Sequence, residues 1–210
     1  MKILIVPTIR EVYNNQFEFS VDLKLLNFLK KVFKNSTLKT YNLNKKNDYD
    51  LLVLAGGNNS IIKKKADRLR NKINNSLFNI SLKKKKAILG ICHGAHYLAK
   101  KNGFKINKKN NHIGYHKVIF NINKNRFIKI VNSFHNETIE YRKKNNVNIF
   151  GVAEDGTVES FHVKDKKILG IMWHPERYRK IKYFDLKLVR EFYATNNIIG
   201  REGLKVTIYI

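Results

Sequence analysis

The chain has 210 residues, the length of one ordinary domain, and its 43% hydrophobic content supplies enough apolar surface to offset ordering entropy, which excludes a disordered protein. Its 42 Lys and Arg against 16 Asp and Glu give a net charge of +26 spread from Lys2 to Lys205; with no aromatic-basic RNA-binding signature, Cys/His finger or basic zipper, this reads as surface composition and not as specific nucleic-acid recognition. One Cys excludes an internal disulfide framework and a Cys-based zinc cluster, the start Met1 to Pro7 is too short for a secretory signal, and no apolar run approaches the roughly 18 residues that cross a bilayer, so a cytoplasmic protein is expected.

Residues 2–9 form a near-continuous apolar run containing Pro7, the pattern of a strand covered on both faces. Ser20 is placed to cap a helix in which Val21, Leu25, Leu26, Phe28, Leu29, Val32 and Phe33 recur at helical spacing. Short strands are predicted over 37–43 and Leu51 to Leu54, then an amphipathic helix marked by Leu69, Ile73 and Leu77, then a buried strand at Ala87-Ile88-Leu89. The run Lys83 to Lys86 reads as a solvated loop before that strand. This alternation predicts an α/β fold with a mainly parallel central sheet flanked by helices.

From residue 104 the rhythm changes to strands separated by Asn/Lys-rich turns. They fall at 118–120, 127–131, 148–153 and 158–161, with an Asp155-Gly156 turn, and Ile168 to Met172 adds one more. Additional antiparallel strands are therefore expected in the second half, followed by a helix near Phe184 to Tyr193. Residues 199–210 are strand-compatible without an assigned place. No repeat or long linker divides the chain, so 1–210 is read as a single domain.

Four stretches carry chemistry. In Gly90-Ile91-Cys92-His93-Gly94 an apolar strand meets a helix-forming segment across a Gly-x-Cys-x-Gly turn, the context of a nucleophile elbow. Such a turn lifts Cys92 above the sheet at a helix N-terminus, where free amides favour thiolate. A lone cysteine is more often a small buried hydrophobe, but this context argues for a nucleophile. In Trp173-His174-Pro175-Glu176, again after a core strand, His174 is the natural base for a thiol and Glu176 its supporting carboxylate. Leu54-Ala55-Gly56-Gly57-Asn58 ends another strand, where the Gly57 amide, with that of His93, could form an oxyanion hole. Asn132-Ser133-Phe134-His135 suits a small polar substrate, and taken alone could equally be a capped turn.

These ordered motifs resemble the class I glutamine amidotransferases, and within them the γ-glutamyl hydrolase branch, in which Ser-Phe-His and Glu-Asp-Gly (here Glu154-Asp155-Gly156) stand between the elbow and His-Pro-Glu. The likeness extends to about residue 190. It implies a flavodoxin-like sheet, a Cys92, His174, Glu176 triad, an oxyanion site at Gly57 and His93, and a γ-glutamyl pocket drawing on Ser133, Phe134 and His135, with Gly56, Asn58 and His96 beside the substrate. The chain departs from the branch at His93, often Arg, and at His96, usually Gln. Arg70-Asn71-Lys72-Ile73-Asn74 is an altered form of the branch's Arg-Asp-x-x-Glu helix motif.

The resemblance implies hydrolysis of a γ-glutamyl amide or glutamine, with no metal and no organic cofactor. The segments around 170–177 and 132–136 further resemble members of surface-polysaccharide pathways that hydrolyse γ-glutamyl cytidine diphosphoramidate. Two other readings stand beside it: a glutaminase subunit that passes ammonia to a separate synthetase partner, and a non-enzymatic relative that binds a ligand or partner.

Overall fold

The computed structural model describes residues 1–42, 47–58, 64–108, 112–142 and 146–195. Its first half runs β1 (Lys2–Val6), β2 (Thr8–Tyr13), β3 (Gln16–Ser20), α1 (Leu23–Val32), β4 (Thr37–Thr40), β5 (Leu51–Leu54), α2 (Lys65–Lys83), β6 (Ala87–Ile91) and α3 (His93–Lys101). The second half adds β7 (Ile106–Lys108), β8 (Ile113–Ile122), β9 (Asn125–Phe134), β10 (Glu137–Ile139), β11 (Val147–Ala153), β12 (Val158–Val163) and β13 (Ile168–Ile171). A 3-10 turn at Pro175–Arg177 and α4 (Tyr183–Thr195) follow.

The main sheet has the strand order β4-β1-β5-β6-β13-β12-β11-β8-β9. The first five strands are mutually parallel, and the remaining four are joined antiparallel. Numbered among themselves, the parallel strands take the order 2-1-3-4-5 of a flavodoxin-like doubly wound sheet. The α/β expectation with added antiparallel strands therefore holds.

Alternation along the buried strands divides the core in two. Ile3, Ile5, Leu51, Val53, Leu89 and Ile91 face α1 and α4, where Phe28, Leu29, Leu188 and Phe192 cover them. Leu4, Val6, Leu52, Leu54 and Ile88 face α2 and α3, against Ile73, Leu77, Phe78 and Leu98. Covering on both faces explains why these strands read as unbroken apolar runs. No helix among the described residues is long and apolar enough to cross a membrane.

The structure corrects several local expectations. The strand expected over 2–9 stops at Val6, because Pro7 has no N–H for the ladder; the chain then leaves the sheet as the separate β2–β3 hairpin. β2 is largely exposed and no residue of β3 is fully buried, so they lack the burial signal that marks the rest. Ser20 ends β3, and the cap of α1 is Asp22, whose Oδ1 accepts from the Lys24 amide at 2.9 Å. The short strands β7 and β10 lie outside the expected elements, and the strand expected to reach residue 43 ends at Thr40. Residues 199–210 lie outside the described residues.

Candidate active site

The carboxyl ends of β5, β6 and β13 are adjacent in the sheet, and each delivers one of the four chemical stretches. This is the edge at which doubly wound sheets bind ligands. Cys92 follows β6 directly and sits at φ 50, ψ −103, in the left-handed half of the map that a non-glycine residue adopts only under constraint. Its amide donates to the Ile171 carbonyl at 2.8 Å and its carbonyl accepts from the His96 amide at 3.0 Å, which fixes the bend between strand and helix.

The flanking glycines are explained by contact. A Cβ on Gly94 would lie 2.0 Å from the Leu54 carbonyl oxygen, and one on Gly90 2.6 Å from the Gly94 backbone. The first turn of α3 thus packs directly on the backbone of its neighbours. The first amides of α3, including that of His93, have no carbonyl within the helix to receive them.

His174 follows β13 and is 2% exposed. Its Nδ1 is 2.6 Å from Glu176 Oε1, and its ring is hydrogen-bonded to the Cys92 thiol, with Nε2 the nitrogen left for it. Burial alone would lower the imidazole pKa, but the hydrogen bonds to Cys92 and Glu176 outweigh it and push it up to about 9. The imidazole is therefore charged at neutral pH. Cys92, His174 and Glu176 are brought together although 82 residues separate the first from the second in the chain.

The backbone of His174 is clamped by Asn132 at 2.9 Å on each side, and the Tyr178 hydroxyl accepts from the Asn132 amide at 3.2 Å. One residue earlier, the buried Trp173 indole donates to Asp185 Oδ1 at 2.9 Å. Burial raises the Asp185 carboxyl to about 7. These anchors lie just outside the triad. Of them, Asn132 is legible in the sequence only as part of a motif, and Asp185 gives no signal.

The 55–58 loop is held from below by Arg70, a fully buried guanidinium in α2. Its Nη1 donates to the carbonyls of Gly56 and Gly57 at 3.0 and 2.6 Å and to Asn58 Oδ1 at 2.9 Å, while Nη2 reaches the Ala55 carbonyl. Thr8 Oγ1 also donates to the Gly56 carbonyl at 3.0 Å. In a trans peptide the carbonyl and the following N–H point oppositely, so the Gly57 amide faces away from Arg70. Gly57 itself has φ +81, and a Cβ there would meet Thr8 Oγ1 at 2.5 Å. At Gly56 a Cβ would come within 2.7 Å of His174 Cε1, so the loop touches the imidazole.

The other expected substrate contacts are placed as follows. The Asn58 side chain is spent inside the protein: it accepts from the Ile9 amide at 3.0 Å and donates to the Ile9 carbonyl at 2.8 Å and to Asp67 Oδ1 at 3.2 Å. The His96 ring is buried, with Nε2 at 2.9 Å from the Glu137 carbonyl, and burial pulls its pKa down to about 3. Both therefore brace the site from behind. The His93 imidazole is buried and hydrogen-bonds the Asn58 backbone, joining the elbow to the glycine loop. Ser133 is fully buried with no hydrogen-bond partner on Oγ.

Phe134 is half exposed, its ring 5.5 Å from the His174 ring and 4.9 Å below the Arg177 guanidinium. His135 turns the other way, with Nδ1 at 2.9 Å from the Glu137 carbonyl and Nε2 at 3.8 Å from Glu159 Oε1. A cleft of about 710 Å³ opens between the hairpin and the glycine loop, and its wall includes Gly56, Gly57, Arg10, Asp22, Glu176 and Arg177. That volume suits a small-molecule substrate.

Residues 15–194 match the family model described as glutamine amidotransferase class-I. A γ-glutamyl-CDP-amidate hydrolase of Campylobacter jejuni is 34% identical over 149 residues, covering 68% of this chain and 69% of that protein. Among solved structures, a putative GMP synthase subunit from Thermoplasma acidophilum superposes with a TM-score of 0.68 at 19% identity, covering 92% of each chain. A glutamine amidotransferase from Thermotoga maritima gives a TM-score of 0.62 at 21% identity, covering 83% of this chain and 76% of that one.

Proposed function

The chain belongs to the class I glutamine amidotransferases, and on that premise we propose that it hydrolyses a γ-glutamyl amide bond, with Cys92 as nucleophile, His174 as acid and base, and Glu176 as the group that orients His174. One observation carries this reading: the His174 imidazole, its pKa raised to about 9, is held between a thiol and a carboxylate and touches Gly56, which with Glu176 lines the neighbouring cleft. In the first step the sulfur adds to the γ-carbonyl carbon. The amides of Gly57 and His93 receive the oxyanion, and the proton on His174 passes to the departing amine. Water, activated by the neutral imidazole, then releases glutamate and restores the enzyme. Phe134, half exposed beside the His174 ring, flanks the glutamyl portion. No step calls for a metal or an organic cofactor.

For the amine half, the 34% identical relative supports a nucleotide-linked γ-glutamyl amide. A single Cys leaves no internal disulfide to form, in keeping with a reducing compartment, and we place the reaction in the cytoplasm.

The test is glutamate release from glutamine and from a panel of γ-glutamyl amides, including a nucleotide-linked one, by the purified protein and by Cys92→Ala. Turnover by the purified chain, abolished in the variant, is expected. Undiminished turnover by Cys92→Ala would remove the mechanism. An ammonia-donating subunit would instead act on glutamine, slowly when alone and faster with its synthetase. A non-enzymatic relative would release no glutamate and would not react with a glutamine-analogue electrophile faster than a free thiol does.

A further inference from the structure

A second polar cluster lies beyond the triad, where the ends of β8, β9 and β12 meet. Glu159 is 1% exposed and at its centre. Its Oε1 is 3.2 Å from His112 Nδ1, 3.5 Å from His116 Nε2 and 3.8 Å from His135 Nε2. The donor atoms of His112, His135 and Glu159 lie within 4.8 Å of one another, and all three residues are buried. None of the proposed catalytic steps uses this cluster.

The outward-facing nitrogens decide what the inward ones can do. His135 Nδ1 is 2.9 Å from the Glu137 carbonyl, which can only accept, so this nitrogen carries the hydrogen. His112 Nε2 is 2.9 Å from an Asp155 carboxylate oxygen, which assigns its hydrogen in the same way. In the neutral imidazoles, His112 Nδ1 and His135 Nε2 then present lone pairs toward a carboxylate oxygen. Those two nitrogens, His116 Nε2 and Glu159 Oε2 are all buried without a hydrogen-bond partner. Several acceptors converging on one buried point repel one another unless positive charge stands between them, supplied by a metal ion or by a second proton on His112 between Glu159 and Asp155.

The spacing fits such a cation. Metal–ligand bonds of about 2.0–2.1 Å in a tetrahedral site separate neighbouring donors by roughly 3.4 Å, and the three distances from Glu159 Oε1 lie around that value. The Asp155 carboxylate on the far nitrogen of His112 and the Glu137 carbonyl on that of His135 are also the outer support that metal-bound imidazoles ordinarily have. Nitrogen-rich donors favour the zinc group of divalent metals over magnesium or calcium.

We propose that His112, His135 and Glu159, with His116 as fourth donor, form a binding site for a divalent transition-metal ion of the zinc type. The ion staples three strand ends and fixes the 132–135 segment, whose other face borders His174. His135 thereby belongs to this site and not to the γ-glutamyl pocket. The site is independent of the hydrolytic reading, since it shares no residue with the triad.

The experiment uses the full chain carrying Cys92→Ala, so that the thiol contributes no ligand, stripped with a chelator and titrated with zinc chloride or cobalt chloride. One equivalent is expected to bind, with the cobalt form showing the visible absorption of four-coordinate nitrogen and oxygen ligation, and with a raised melting temperature. Glu159→Gln and His112→Ala should abolish the equivalent, and Asp155→Asn should weaken it about 10- to 100-fold. His116→Ala, at a partly exposed position, provides a variant whose folding is not at issue and should also weaken binding. Failure of the stripped Cys92→Ala protein to take up either metal overturns the proposal. Uptake of equal affinity in His116→Ala and in whichever of the buried variants fold does so too.

Discussion

Asn132 holds the backbone of His174 on both sides, donating Nδ2 to its carbonyl and accepting its amide on Oδ1, each at 2.9 Å. The imidazole is thus positioned by a residue on β9, across the sheet from the strand that carries it. Asn132→Ala removes both bonds, and a shift of about 1 Å in a reacting group can cost about 100-fold. A fall in kcat of about 10- to 100-fold is expected, with KM changed far less. Steady-state kinetics on a γ-glutamyl amide would show it; a kcat equal to that of the unaltered protein would deny Asn132 this role.

The pH behaviour of His174 follows from its pKa of about 9, above the ordinary 6.5. A raised folded-state value means that stabilisation from the charged imidazole is fully present below about 6.5 and is lost as pH rises through about 9. Activity should likewise decline above about pH 9, where the proton needed by the leaving amine is gone. In Cys92→Ala the hydrogen bond from that side chain, which helps to raise the His174 pKa, disappears. An NMR titration of His174 should then show a midpoint lower than in the parent protein.

Asp185 has the opposite sign. Its carboxyl, raised by burial to about 7 from 3.8, is protonated in the folded chain at pH values where the unfolded chain has released its proton. Stability from this group therefore falls as pH rises from about 4 to about 7. Asp185→Asn keeps an oxygen for the Trp173 indole and removes the buried charge, so its stability relative to the parent should improve across that interval. Urea melts at pH 5 and pH 8 would measure the change, and a variant destabilised more at pH 8 than at pH 5 would contradict it.

Arg70 satisfies three consecutive carbonyls of the glycine loop and the Asn58 side chain. Arg70→Met takes the donor from the Ala55 and Gly57 carbonyls, at a cost of roughly 1–3 kcal/mol each before relaxation, while Gly56 keeps Thr8 and Asn58 keeps the Ile9 amide. Marked destabilisation and a loss of kcat are expected together, because the same loop presents the Gly57 amide. Denaturant melts and single-turnover kinetics would separate the two effects.

Gly94→Ala places a methyl 2.0 Å from the Leu54 carbonyl oxygen, a rigid backbone atom. Overpacking against a rigid neighbour costs about 1–3 kcal/mol or more. The variant should melt at a lower temperature or fail to accumulate as folded protein, and an unaltered melting temperature would refute the close packing of α3 on β5.

The triad is legible in the sequence because each member follows an apolar strand buried on both faces, and the ends of adjacent parallel strands meet. Cys92 and His174 need only that rule to be placed on one rim. Asn58 shows its limit: its position at a strand end suggests a substrate contact, but its amide pairs with Ile9, 49 residues away on a hairpin too exposed to announce itself. The glycines of Gly-x-Cys-x-Gly read as turn formers, whereas the structure shows that at Gly94 lack of space is the stronger constraint. His112 and Glu159 carry no sequence signal, since neither stands in a recognisable spacing and they meet only through antiparallel pairing of distant strands.

Along residues 132–135 the side chains alternate: Asn132 and Phe134 attend to His174, while His135 reaches Glu159. What looks like one four-letter word is two interleaved ones, spoken to different listeners. Among relatives, position 135 should accordingly change in step with 159 and position 132 in step with the loop around 174, so that divergence in one register leaves the other untouched.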